Sequence, residues 1–178
     1  ANIQKGESLS KQELEKSIVA IDKASQEVRN IAYQMMPNTL RELGFIPAIE
    51  DLLKRILTPN KIQYDFEQIG VTVRLSQNIE LSLFRITQEL LNNVIKHSGA
   101  SFVSVLITQK PESITLIFED NGKGFDVDQI QKGIGIDSLS SRVDMLHGKI
   151  NFENQEGSGT MAIIKIPISD TGLDSRIT

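Results

Sequence analysis

Leu81 to His97, LSLFRITQELLNNVIKH, reads as a helix whose two sides need different surroundings, and that requirement constrains the fold more than any other stretch. At about 100° per residue, Leu83, Phe84, Leu90, Leu91, Val94 and Ile95 gather on one half, while Glu89, Asn92, Asn93 and Lys96 share roughly 100° of the other. The first half needs a core. The second suits a ligand, although a polar helix face is ordinarily just solvated. Three glycine-rich stretches follow in order and shift the reading toward a ligand: DNGKGF at 120–125, GIG at 133–135 and GSGT at 157–160.

With 178 residues the chain can form one domain with a sizeable core, or a small domain carrying an appendage, and the second is expected. A net charge of −4 supplies no basic field for DNA or RNA, so nucleic acid is not expected as a partner. The absence of cysteine excludes disulfides and thiolate chemistry, and two distant histidines do not suggest a histidine zinc site. The longest apolar runs fall well short of the roughly 18 residues a membrane span needs, so no membrane contact is expected of this stretch. The start, ANIQKGES, has neither an initiator Met nor the apolar core of a signal peptide, and reads as a piece cut from something longer.

Along the chain, Leu14, Ile18, Ile21, Ser25, Val28, Ala32 and Met35 alternate steps of four and three, the spacing of a helical seam that needs a partner helix. Pro37 ends it. A second copy, an upstream helix, or both could pair with that seam; a single helix lying on its own domain is the alternative. After Gly44, Pro47 suits the first turn of a helix striped by Ala48, Ile49, Leu52, Leu53, Ile56 and Leu57. KIQYDFEQ alternates as a half-buried strand, VTVRL as a shorter extended piece, and Ser76 is a plausible N-cap for the central helix. FVSVLIT and ITLIFE predict two strands joined by QKPES. Residues 121–135 predict a mobile loop, 136–147 a helix ended by Gly148, KINFENQ and MAIIKIPI two closing strands, and 169–178 a tail.

Asp120 ends a buried strand beside glycines, which suits a carboxylate reading an exocyclic amine, with Gly122 and Gly124 letting a flat ligand approach the backbone. Asp-Asn-Gly is equally good turn chemistry. Gly133 and Gly135 precede a helix whose N-terminal N–H groups could meet a phosphate. On the central helix, Asn93 offers a neutral oxygen to Mg²⁺, Glu89 one turn earlier could accept a proton or orient the attacking group, and Lys96 could offset phosphate charge. Thr160 carries a hydroxyl able to bind a base edge, or is an ordinary turn residue.

ELLNNVIKH resembles the N box, DNGKGF the first glycine box, GIG the second and GSGT the last glycine motif of the ATP-binding domain shared by sensor histidine kinases, gyrase, the large heat-shock chaperones and MutL. Upstream, EVRNIAYQMMPNTLRELGFIPAIEDL resembles the second dimerisation helix and its junction in the nitrate-sensor-like branch of the histidine kinases. The match covers most of the chain. It implies an α+β fold, a two-layer α/β sandwich of Bergerat type in which helices cover one face of a mixed sheet, preceded by a long dimerisation-type helix. It also implies a division into a partial dimerisation segment (1–40), an ATP-binding catalytic domain (41–168) and a tail (169–178).

Carried over by position, the resemblance makes Asn93 the Mg²⁺ ligand, Glu89 the catalytic acidic residue and Asp120 the partner of the adenine amino group. Gly122 and Gly124 would shape the adenine pocket, Gly133 and Gly135 would belong to the ATP lid, Thr160 would lie near the base, and Lys96 and His97 would face phosphate or ribose. ATP and Mg²⁺ are the implied cofactors. A response regulator and a second copy, joined through the dimerisation helices, are the implied partners of a cytoplasmic domain whose parent is anchored in the bacterial inner membrane. Such kinases phosphorylate a histidine on the first dimerisation helix, yet no histidine precedes His97, so the phosphoacceptor is expected outside this chain. Competing readings are an anti-sigma-factor-type serine kinase, an ATP-gated clamp and a degenerate scaffold module.

Overall fold

The computed structural model describes residues 38–72, 74–124, 134–154 and 159–168. The expected seam helix, Pro37, Gly133, the first half of GSGT and the tail lie outside the described residues.

Strands β1 (Gln63–Ile69), β2 (Phe102–Lys110), β3 (Ser113–Asp120), β4 (Lys149–Asn154) and β5 (Thr160–Pro167) form one sheet in the order β1-β2-β3-β5-β4. β1 runs parallel to β2 and the other three pairings are antiparallel, so the sheet is mixed and the fold is α+β. Helices α1 (Asn38–Leu43), α2 (Phe45–Leu57), α3 (Gln77–Asn93) and α4 (Ile134–Met145) complete it. Because β1 and β2 are parallel, the chain must cross over between them, and α3 is the crossover. Among the described residues no helix is long and apolar enough to cross a membrane.

Period-two alternation sets which sheet face is covered. Val103, Val105 and Ile107 of β2, Ile114, Leu116 and Phe118 of β3, and Ala162, Ile164 and Ile166 of β5 are buried, whereas Leu106, Thr115, Ile117 and Ile163 between them are half-buried and Glu119 and Lys165 exposed. α3 meets the covered face and packs between α2 and α4, burying Leu83, Phe84, Leu90 and Leu91 as its stripe predicts, and Val94 just beyond its end is buried too. The α2 stripe is buried at Ala48, Ile49, Leu52, Leu53 and Leu57, with Ile56 only half-buried at its edge.

Four local expectations need correction. VTVRL forms no strand among its described residues; Leu75 makes a single bridge, and Arg74 is held by an ion pair with Glu80 instead. The α-helix of the central stretch ends at Asn93 and gives way to one π turn, Val94–Ser98. Ile95, at the edge of the expected apolar arc, is 39% exposed. α4 begins at Ile134, so Gly135 lies in its first turn and does not precede the helix. Ser76 does stand at the N-cap of α3 with extended backbone, but its side chain makes no capping hydrogen bond.

Candidate ATP-binding site

Asp120 is the last residue of β3 and continues the buried series Ile114, Leu116, Phe118, which places a carboxylate where the pattern calls for an apolar side chain. It is 5% exposed. A carboxylate this deep costs several kcal/mol unless donors meet it. Two do: the Ser98 hydroxyl at 2.7 Å and the Gly122 N–H at 2.8 Å, both into Oδ1. Among the described residues no donor reaches Oδ2. That atom is not sealed off either, since the one fully buried side-chain polar atom without a partner among the described residues is Gln109 Oε1.

The turn around this carboxylate is fixed from both sides. The Asn121 amide oxygen accepts the N–H groups of Ser101 and Phe102, each at 2.9 Å, its Nδ2 donates to Ser101 Oγ, and the Lys123 N–H donates to the Ser98 carbonyl at 3.0 Å. At Gly122 a Cβ would run into the Ser98 hydroxyl and would sit 2.7 Å from Asp120 Oδ1. Glycine is therefore required there by the protein's own packing, before any ligand is considered. At Gly159, with φ +95°, a Cβ would collide with the Asp120 carbonyl. The two glycine stretches thus press against the same residue from adjacent strands.

Thr160 opens β5 directly opposite Asp120 in the antiparallel register, so both side chains lie on the helix-covered face at the same end of the sheet. Thr160 is half-buried. Gly124 follows the turn with φ +69°. Gly135 is in α4, and Gly133 lies outside the described residues.

On α3, Glu89 and Asn93 are four residues apart on one side and half-buried. No side-chain hydrogen bond to another described residue occupies either of them. Lys96 and His97 are exposed in the π turn, and the turn's last residue is Ser98. Single π turns recur at functional sites. Here the turn takes the helix from Asn93 to the residue that grips Asp120, which brings the base-reading candidate and the end of α3 into one hydrogen-bonded unit. Among the described residues no cluster of three or more His, Asp or Glu could hold a metal. A single neutral oxygen such as that of Asn93 fits Mg²⁺ that keeps waters and phosphate oxygens as its other ligands.

Sequence reasoning did not single out Ser98, which it read only as a helix terminator, nor Asn121 as the clamp of the 98–102 segment. It also passed over Arg74 and Glu80. A signal for Glu80 was present: it falls in the stripe 80, 83, 84, 87, 90, 91, where a charge demands a buried partner.

The structure is thus a helix-covered mixed sheet built around α3 and β3, with a buried carboxylate and two glycine turns at one end of the covered face. The sequence matches the model of the family described as histidine kinase-, DNA gyrase B- and HSP90-like ATPases over residues 78–170, and the chain belongs to that family. Relatives include the signal transduction histidine-protein kinase/phosphatase DegS of Brevibacillus brevis, 38% identical over 144 residues, which covers 80% of this chain and 37% of DegS. The sensor histidine kinase LiaS of Bacillus subtilis is 34% identical over 148 residues, covering 82% of this chain and 40% of LiaS. The chain therefore spans well under half the length of these relatives. Among solved structures, the Acinetobacter baumannii histidine kinase AdeS superposes with a TM-score of 0.63 at 18% identity over 92% of this chain and 87% of that one, a likeness of fold.

Proposed function

We propose that this chain is the ATP-binding catalytic portion of a two-component sensor histidine kinase, which transfers the γ-phosphoryl group of Mg-ATP to a histidine outside the chain for relay to a response regulator. The observation that carries the reading is Asp120. Its Oδ1 is occupied by donors of the protein and its Oδ2 is left as an acceptor, which fits the exocyclic amino group of adenine.

Gly122 and Gly124 then border the base, and Thr160, opposite Asp120, lies within reach of the same edge. Asn93 would hold Mg²⁺, which when bound would offset phosphate charge. Glu89, one helical turn away and uncommitted, would take the proton from, or orient, the attacking imidazole. Lys96 and His97 would face phosphate or ribose, and Gly133 and Gly135 would belong to the lid over them. Residues 1–40 form the partial dimerisation segment in this reading, 41–168 the catalytic domain and 169–178 a tail. In the parent, a homodimer would form through the dimerisation helices, and the domain would be cytoplasmic beneath an inner-membrane anchor.

The test is phosphotransfer in trans. The chain, incubated with Mg-ATP labelled at the γ position and a separate histidine-bearing helix, should label that helix with acid-labile, base-stable phosphate, and Asn93→Ala should abolish the labelling. Acid-stable phosphate would point to a serine kinase instead. Release of inorganic phosphate alone would point to a clamp.

A further inference from the structure

The adenine reading assigns Asp120 but leaves open why one carboxylate oxygen is spent and the other is not. Ser98 answers this. Its Oγ accepts the Ala100 N–H at 3.0 Å, so its hydroxyl proton is directed to Asp120 Oδ1 at 2.7 Å. The relay runs one way, from Ala100 N–H through the Ser98 hydroxyl to Oδ1, and the Gly122 N–H joins it at the same oxygen.

We propose that Ser98 is a specificity-positioning residue of the nucleotide site, turning the Asp120 carboxylate so that Oδ2 alone meets the base and the site prefers 6-amino over 6-oxo purines. This rests on the adenine reading given above. Three features beyond the hydrogen bond itself support it. Ser98 is anchored independently of Asp120, because its carbonyl accepts the Lys123 N–H and Gly122 packs on it so closely that no Cβ could intervene. It ends the π turn that continues from Asn93, so the element that would handle phosphate also holds the carboxylate that would read the base. Finally, the two donors to Oδ1 come from different segments, the end of the π turn and the turn after β3.

With Oδ2 fixed as an acceptor, a 6-amino group finds its partner. A 6-oxo group instead sets one acceptor against another, and a site built around a buried hydrogen-bonding group rejects the analogue lacking the partner far more strongly than shape alone would. Without the Ser98 hydroxyl, Oδ1 keeps a single donor and the carboxylate can rotate. The match to the amino group then weakens.

The experiment is a calorimetric titration, with Mg²⁺, of a non-hydrolysable ATP analogue and its inosine counterpart into the whole chain, Ser98→Ala and Ser98→Thr. The unmodified chain should prefer adenine by about 100-fold or more, as expected of hydrogen-bond discrimination. Ser98→Ala should lower that ratio about tenfold through the adenine arm, the size of one lost hydrogen bond, and Ser98→Thr should restore it to within about threefold because the hydroxyl returns. Equal weakening of both nucleotides in Ser98→Ala would mark a merely structural role and overturn the proposal, as would an unchanged ratio. If Ser98→Ala does not fold, Ser98→Cys, a weaker donor on the same connectivity, should give a lowered ratio, and an unchanged one would overturn the proposal. Absence of discrimination in the unmodified chain would remove the adenine reading itself. Discrimination retained at the unmodified chain's full ratio in Ser98→Ala would remove only the part assigned to Ser98.

Discussion

Asp120 and Glu80 are both buried carboxylates, 5% and 2% exposed, and the chain surrounds them in opposite ways. Glu80 lies on the apolar side of α3 and meets a full counter-charge: Arg74 Nε donates to Oε1 at 3.2 Å and Nη2 to Oε2 at 3.3 Å. The same guanidinium donates to the carbonyls of Leu40 and Arg41, at 2.8 and 3.1 Å, and so ties the end of α1 to the start of α3. Both oxygens of Glu80 are engaged by the protein itself. Asp120 meets only neutral donors, both on one oxygen, and its other oxygen takes none from the described residues. A buried charge neutralised by its own chain is part of the architecture. In the proposed reading, the one left half-satisfied beside a glycine turn takes its remaining donor from outside.

Removing the architectural carboxylate should have the largest effect on folding. Glu80→Ala leaves Arg74 without its counter-charge at a part-buried position and should lower the unfolding free energy by about 3 kcal/mol in urea titrations. A loss under about 1 kcal/mol would put the pair among ordinary surface ion pairs and dissolve the contrast. Arg74→Lys keeps the charge but not the planar fork that reaches a carboxylate and two carbonyls together, and should cost about 1.5 kcal/mol in the same measurement. Asp120→Asn should be the mildest, about 1 kcal/mol or less, because the amide oxygen can still accept from Ser98 and Gly122. A loss as large as that of Glu80→Ala would make Asp120 a second structural charge.

Much of this was legible from residue order. The alternation in FVSVLIT, ITLIFE and MAIIKIPI marks the three central strands, and the run Ile114, Leu116, Phe118, Asp120 places a carboxylate on the covered face. The glycines of DNGKGF and GSGT also signal close approach, although what they approach is the Ser98–Asp120 corner itself. The rest was hidden for identifiable reasons. The Ser98 to Asp120 bond joins residues 22 apart, and only the sheet register brings them together. The π turn changes backbone bonding from i→i+4 to i→i+5, which periodicity does not read: Val94 stays buried as the apolar stripe predicts, whereas Ile95 comes out 39% exposed. VTVRL reads as a short extended piece because Val71, Val73 and Leu75 alternate; that pattern is blind to the partner waiting for Arg74 six residues later.

The measurement that bears most directly on the contrast is a calorimetric titration of a non-hydrolysable ATP analogue with Mg²⁺ into the unmodified chain and Asp120→Asn. In the variant the amide oxygen keeps the two donors while an NH₂ group replaces Oδ2, so the adenine amino group meets a donor where it needs an acceptor. Saturable binding by the unmodified chain, weakened about 30- to 100-fold in Asp120→Asn, is the expected result, corresponding to roughly 2–3 kcal/mol for a lost partner to a charged group. Equal affinity in the two proteins, with both folded, would contradict the account and leave Asp120 as no more than a turn anchor.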